Sequence, residues 1–214
     1  GSLLMPPYRV TKFDAYAVEL TVQFSRFHVG GNYAVHGGVL PLKASQTVAV
    51  IGAFATAPRF QGAGSSLINP TRVDNALDEL IAQGGADKVS FAQGFTNDGS
   101  GDAAVLRTEA AALAASNEVA VVFAGLPARL ESEGFDRDDI DLPAEQLELI
   151  DAVFAANPRT VVVLSNGGVV ALPFADRVPA IVEAWLLGQA GGSATADVLY
   201  GAANPSGKLT ETIP

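Results

Sequence analysis

Cysteine is absent from the 214-residue chain, which excludes disulfides, thiolate zinc sites and a cysteine nucleophile. Basic residues are scarce. Thirteen Lys and Arg stand against 23 Asp and Glu, a formal net charge of -10. Sequence-independent nucleic-acid binding relies on Lys and Arg at phosphates, so no nucleic-acid partner is expected. The same charge repels anionic membranes and substrates and leaves a neutral ligand as the better fit. No apolar run approaches the ~20 residues of a membrane helix, so no membrane partner is expected either. His28 and His36 are the only histidines, and neither has carboxylates beside it, which makes a poor metal site. No Gly-x-Ser-x-Gly elbow is present, against a serine hydrolase.

Cofactor motifs fail as well. A dinucleotide fingerprint needs a Gly-rich turn directly after the first strand, where this chain has Gly52-Ala53-Phe54-Ala55. Ser206-Gly207-Lys208-Leu209 resembles a fragment of a phosphate loop, but Leu209 stands where Ser or Thr is required. No cofactor and no metal are therefore expected. Gly1-Ser2 ahead of Met5 reads as a cloning scar rather than a signal peptide, so the natural start and any leader are expected to be missing, and the compartment stays unread.

What is present is apolar bulk: 49% hydrophobic residues and only 17% charged. Residues 1–46 form an atypical, aromatic-rich N-terminal segment that reads as a strand or hairpin, with a helix over residues 14–25 as the rival. Residues 47–214 read as one α/β domain. Thr47–Ile51, Lys88–Phe91, Val119–Phe123, Thr160–Leu164 and Ala180–Trp185 are Val- and Ala-rich runs suited to strands buried on both faces. Helical patterns lie between them. Asn69-Pro70 is expected to cap the first and Gly84-Gly85 to end it; Asp102 opens the second, with Leu106, Ala110 and Leu113 inward. Pro143 starts the third, with Leu147, Ile150 and Phe154 inward, and Gly191-Gly192-Ser193 introduces the last, ending near Gly201. The alternation predicts a mainly parallel sheet with helices on both faces, a three-layer α/β/α sandwich. Loops 53–68, 92–101 and 125–141 leave strand ends on one rim, where ligands of such sheets bind.

The third of those loops is long and acidic, carrying Glu131, Glu133, Asp136, Asp138, Asp139 and Asp141. A charge run of this kind most often marks a solvated face. Its wording nevertheless resembles a known family. Glu131-Ser132-Glu133-Gly134-Phe135-Asp136-Arg137, then Leu142-Pro143 and Gln146, is similar to the acid/base loop of glycoside hydrolase family 3, a group of β-glucosidases, β-xylosidases and related exo-acting hydrolases. Pro58-Arg59-Phe60-Gln61-Gly62-Ala63-Gly64-Ser65-Ser66, Val161–Gly167, Glu183-Ala184-Trp185, Gly188–Gly192 and Asn204–Leu209 match in order. The resemblance runs from about Gly37 to Pro214.

The resemblance implies a retaining glycosidase that uses a carboxylate nucleophile and a carboxylic acid. It places the acid/base at Glu133, with Glu131 as the fallback, and implies a pKa raised by burial or neighbouring acids unless Arg137 pairs with Glu133. It sets Gln61, Ser65 and Ser66 near the sugar; a loop that merely caps the following helix is the equal alternative. Trp185 is expected in the core rather than as a sugar platform. The family's nucleophile is an Asp on a (β/α)8 barrel, which needs ~250 residues of its own. Asp98 and Asp136 do not match its motif. The chain is thus expected to be a half-site lacking its barrel partner, inactive or nearly so alone, with self-association through an exposed edge or the uncovered face. The alternative is a non-catalytic carbohydrate-binding or interaction module on the same scaffold.

Overall fold

The structure is a computed structural model that describes residues 21–23, 38–205, 207, 209 and 213–214. His28, His36, Ser206, Lys208 and most of the N-terminal segment lie outside the described residues. The buried runs form a six-stranded sheet: β1 Thr21–Gln23, β2 Val48–Ile51, β3 Val89–Ala92, β4 Val119–Gly125, β5 Thr160–Ser165 and β6 Ala180–Glu183, in spatial order β1-β6-β5-β4-β2-β3. β2 to β6 are parallel, and β1 pairs antiparallel with β6, Val22 opposite Val182. Every residue of β2 and β4 is buried, as expected of strands covered on both sides. Of the N-terminal alternatives, residues 21–23 adopt the strand.

Four helices cover the sheet: α1 Ala76–Gly84, α2 Ala103–Ala115, α3 Ala144–Ala156 and α4 Gly191–Leu199. The chain runs from β2 outward to β3 and then back past β2 to β4. Right-handed crossovers in opposite directions put α1 on one face and α2 on the other, which gives the expected three-layer sandwich. α1 accordingly packs with α4, and α2 with α3. α2 meets α3 through Ala110 and Ala114, both fully buried, while Leu106 and Leu113 are only half-buried. Asn157, just after α3, donates to the carbonyls of Ala114 and Asn117 at 3.0 and 2.9 Å, closing the carboxyl end of α2. The inward stripe of α3 is Gln146, Leu149, Ile150 and Val153, one residue around from the expected face. Leu149 and Ile150 each contribute about 1.5–3 kcal/mol by burial.

α1 begins later than the sequence pattern suggests. Its cap is Asn75, whose side chain accepts from the Asp78 N–H at 2.9 Å, and Asn69-Pro70 sits in an extended stretch before it. Two Asn residues compete for the same role, and only Asn75 lies next to the residues that dock on α4. Asp102 caps α2 as expected, accepting from Ala104 and Val105.

The strand-order reversal at β2 requires a close turn. Gly52 follows β2 with φ 112°, and a Cβ there would run into the backbone carbonyl of Phe123 on β4. Replacing Gly52 by Ala adds left-handed strain to that clash, at a cost on the order of 2–4 kcal/mol. Thermal denaturation of Gly52→Ala is expected to show a melting temperature lower by roughly 5–15 °C; an unchanged value would mean that β2 and β4 are not held this close.

Candidate active site

Where strand order reverses, loops leaving neighbouring strands diverge and open a crevice at their carboxyl ends. Here that crevice lies between β2 and β4, and the loops bounding it are residues 53–68 and 126–143. They meet around Glu133. The Ser65 N–H donates to Glu133 Oε2 at 2.6 Å and the Ser65 hydroxyl donates to the same oxygen, while the Glu133 N–H donates to the Ala63 carbonyl at 3.3 Å. Gly64 makes the approach possible: a Cβ on it would stand 2.5 Å from Glu133 Cβ and 2.8 Å from Oε2. Glu133 and Ser65 are both exposed, and Ser66 presents an exposed hydroxyl beside Gly62. Gln61 is not free in the same way. Its amide donates to the Ile68 carbonyl at 2.9 Å and accepts from the Ile68 N–H at 3.0 Å, so it closes its own loop into a ring.

Glu131 is held differently from Glu133. Its two oxygens accept from the N–H groups of Gly167 and Gly168, at 2.8 and 2.7 Å, in the loop after β5. Arg59 approaches from the β2 loop, 3.7 Å from Glu131 Oε2. The same guanidinium donates to the carbonyls of Gln61 at 3.0 Å, Leu126 at 2.7 Å and Glu131 at 2.9 Å. Its burial lowers the Arg59 pKa, and the Glu131 charge opposes that shift. With both oxygens accepting from backbone donors, Glu131 ties the acidic loop to the loop after β5. Arg137 donates to the Val169 carbonyl at 2.8 Å and leaves Glu133 unpaired with any cation among the described residues.

All three strand-end loops share the rim. Arg129 in the acidic loop donates to the Asn97 carbonyl at 3.2 Å and meets Glu145 at 3.2 Å. Beside it lies an open cleft of about 360 Å³ lined by Thr96, Asp98, Gly99, Arg129 and Glu145. Asp98 is fixed by the N–H and hydroxyl of Ser100, at 3.0 and 2.8 Å. No cluster of three or more metal-ligating side chains occurs among the described residues. No helix among them is long and apolar enough to cross a membrane.

Among the carboxyl groups with displaced pKa values, Glu133 and Glu183 move in opposite senses. The Ser65 hydroxyl, and then its N–H, hold the Glu133 carboxyl below the usual carboxylate range. This reverses the expected rise, because the group is solvated and hydrogen-bonded as the anion. Glu183, at the end of β6, is pushed up to about 7, first by burial and further by Glu131, against hydrogen bonds from the Trp185 N–H and Asn166. Its side chain is 1% exposed. Its sequence signal is a lone acid ending an apolar strand; Arg59 and Asn166 stand inside the quoted motifs with no distinguishing signal of their own. Trp185 also departs from expectation. It is half-buried, has φ 48°, and lines a narrow cavity of about 30 Å³ with Arg59, Phe60 and Ser165 rather than filling the core. β6 ends at Glu183, and the backbone is left-handed two residues later, at Trp185.

The sandwich with its carboxylate-bearing rim falls in the class of glycoside hydrolase domains. It is similar to the crystal structure of a GH3 beta-glucosidase from Bifidobacterium adolescentis, with TM-score 0.80 and 46% identity over 91% of this chain and 27% of that one. The family model described as the glycosyl hydrolase family 3 C-terminal domain matches residues 35–214. The chain belongs to glycoside hydrolase family 3, as its C-terminal domain. Among curated relatives, it is 51% identical over 178 residues to thermostable beta-glucosidase B of Acetivibrio thermocellus, covering 82% of this chain and 23% of that protein. It is 49% identical over 175 residues to an exo-alpha-(1->6)-L-arabinopyranosidase of Bifidobacterium longum, covering 81% and 23%. The chain thus spans about a quarter of the length of these relatives.

Glu183 gives the fold a pH dependence whose sign is fixed. A carboxyl whose folded pKa is raised contributes fully below its unfolded value near 4.5, and that contribution is lost as pH rises through about 7. The shift corresponds to a loss on the order of 3 kcal/mol. Urea unfolding of the wild type and Glu183→Gln between pH 4 and 8 should show the wild type losing stability relative to the variant as pH rises. Parallel curves would mean that Glu183 does not titrate in this range.

Proposed function

We propose that the chain supplies the general acid/base carboxylate, Glu133, to a retaining exo-acting β-glycosidase, and that a (β/α)8 barrel it lacks supplies the nucleophile. The observation that carries this reading is the position of Glu133: a solvent-facing carboxylate at the strand-order reversal, gripped by Ser65 from the opposing loop. Acting as an acid, Glu133 protonates the glycosidic oxygen as the nucleophile attacks the anomeric carbon. As the resulting anion, it takes the proton from the water that hydrolyses the glycosyl-enzyme.

A lowered pKa suits the second role and not the first. The missing partner resolves the conflict physically. A barrel and sugar covering the rim would desolvate Glu133, and the nucleophile's negative charge would lie close by; both raise its pKa toward working pH. The surface to be covered is apolar at the expected places. Leu67 and Ile68 on one loop, and Phe135 and Ile140 on the other, are 62, 69, 49 and 42% exposed. Without the barrel, the same patch favours self-association. Ser65 and Ser66 are the hydroxyls offered to a neutral sugar, and Gln61 shapes the loop that carries them. The two relatives bear different sugar names at nearly equal identity, which fits selection of the sugar by the barrel.

Release of nitrophenol from aryl β-glucosides and β-xylosides is the direct test. The purified chain is expected to release none above background. Joined to a family 3 barrel it should turn over, and Glu133→Gln should lower kcat/KM by about 10²–10⁴-fold on substrates with poor leaving groups. Turnover by the chain alone that disappears in Glu133→Gln would mean that a second carboxylate in the chain or its oligomer completes the site. Saturable glucose or cellobiose binding, with no loss on Glu133→Gln in the joined protein, would favour a carbohydrate-binding module instead.

A further inference from the structure

Glu183 is a buried acid that the proposed chemistry does not use. It has no path to a substrate, being 1% exposed beneath the rim. Its Oε1 accepts from the Trp185 N–H at 3.0 Å, and its Oε2 lies 3.4 Å from Asn166 Nδ2. Each of these contacts secures a turn. Trp185 has φ 48°, a left-handed conformation that a bulky residue keeps only when its surroundings hold it there. Asn166 follows β5 directly, and its Nδ2 donates to the Gly168 carbonyl at 2.9 Å. That bond orients the Gly167 and Gly168 amides toward the Glu131 carboxylate, two residues before Glu133.

We propose that Glu183 is a positioning residue for the acid loop: by bracing Asn166 and the Trp185 turn, it sets the Gly167-Gly168 amide pair that receives Glu131 and so places Glu133. The inference rests on the proposed role of Glu133 only for its consequence in catalysis. The contacts of Glu183 are two donors and one like charge. Asn166 faces it from the end of β5, Glu131 from the acid loop is the nearby charged group, and Arg59 stands behind Glu131 from the β2 loop. β1 pairs with it through Thr21. No cation is bonded to Glu183 among the described residues. Both contacts are N–H donors aimed at Glu183, so the ionised carboxylate accepts from them at least as strongly as the neutral acid.

Residue-resolved amide exchange by NMR on this chain tests the brace without any need for activity. The readout is the protection factor of the Gly167, Gly168 and Glu133 amides, relative to Leu149 in α3. Glu183→Ala, which removes both acceptors, should lower the relative protection of all three amides at least ~10-fold, and Glu183→Gln, which keeps the acceptor for the Trp185 N–H, should lower it less. Protection unchanged by Glu183→Ala overturns the proposal. If Glu183→Ala does not fold, Glu183→Gln decides: Gly167 and Gly168 protection equal to the wild type's overturns the proposal. A failed glycosidase assay with this exchange pattern intact removes the role of Glu133 and leaves the brace standing; the converse result removes only the brace.

Discussion

The rim depends on the seat of one carboxylate. Glu131 belongs to the loop after β4, accepts from backbone amides in the loop after β5, and lies against a guanidinium from the loop after β2. Three segments that diverge from neighbouring strands are thereby fixed to a single point. Arg59 extends the seat by donating to three carbonyls, two of them in the acid loop. Its guanidinium and the Glu131 carboxylate are 7 and 19% exposed, so removing either would leave the other charge largely buried and uncompensated. The geometry of Glu133, two residues along, follows from that arrangement.

Electrostatics then separates three acids that lie within a few residues or one layer of each other. Glu131 accepts from two backbone amides and lies against Arg59. Glu133 is solvated, favours its anion through Ser65, and is the only one of the three that reaches the crevice. Glu183 is dehydrated, favours its neutral form, and is shut away from ligand. Environment, not residue type, assigns the three different capabilities.

Much of this was legible beforehand. The five parallel strands are runs of Val and Ala buried on both faces, and the pattern found each within about two residues of its ends. The Asp102 cap and the shared rim were equally readable. α1 was placed too early because Asn69-Pro70 and Asn75 carry the same local signal, and docking on α4 chose between them. The inward face of α3 shifted because Gln146, a polar residue, donates its place in the stripe to an acceptor for the Gly125 N–H at 2.8 Å, which periodicity scores as outside. Trp185 departs from the pattern because a large apolar side chain after a buried strand usually continues it, and here the backbone is left-handed, with φ 48°.

By itself the sequence determined the layers, the order of the elements and the family, because apolar periodicity and an ordered series of motifs are local properties. It left the surroundings of the acidic loop's carboxylates to be settled by neighbours distant along the chain. Glu131 meets the Gly167 and Gly168 amides, and Glu133 meets Ser65. The direction of a pKa shift, and the existence of a buried acid at Glu183, depend on solvent exclusion. Solvent exclusion is produced only when the layers close.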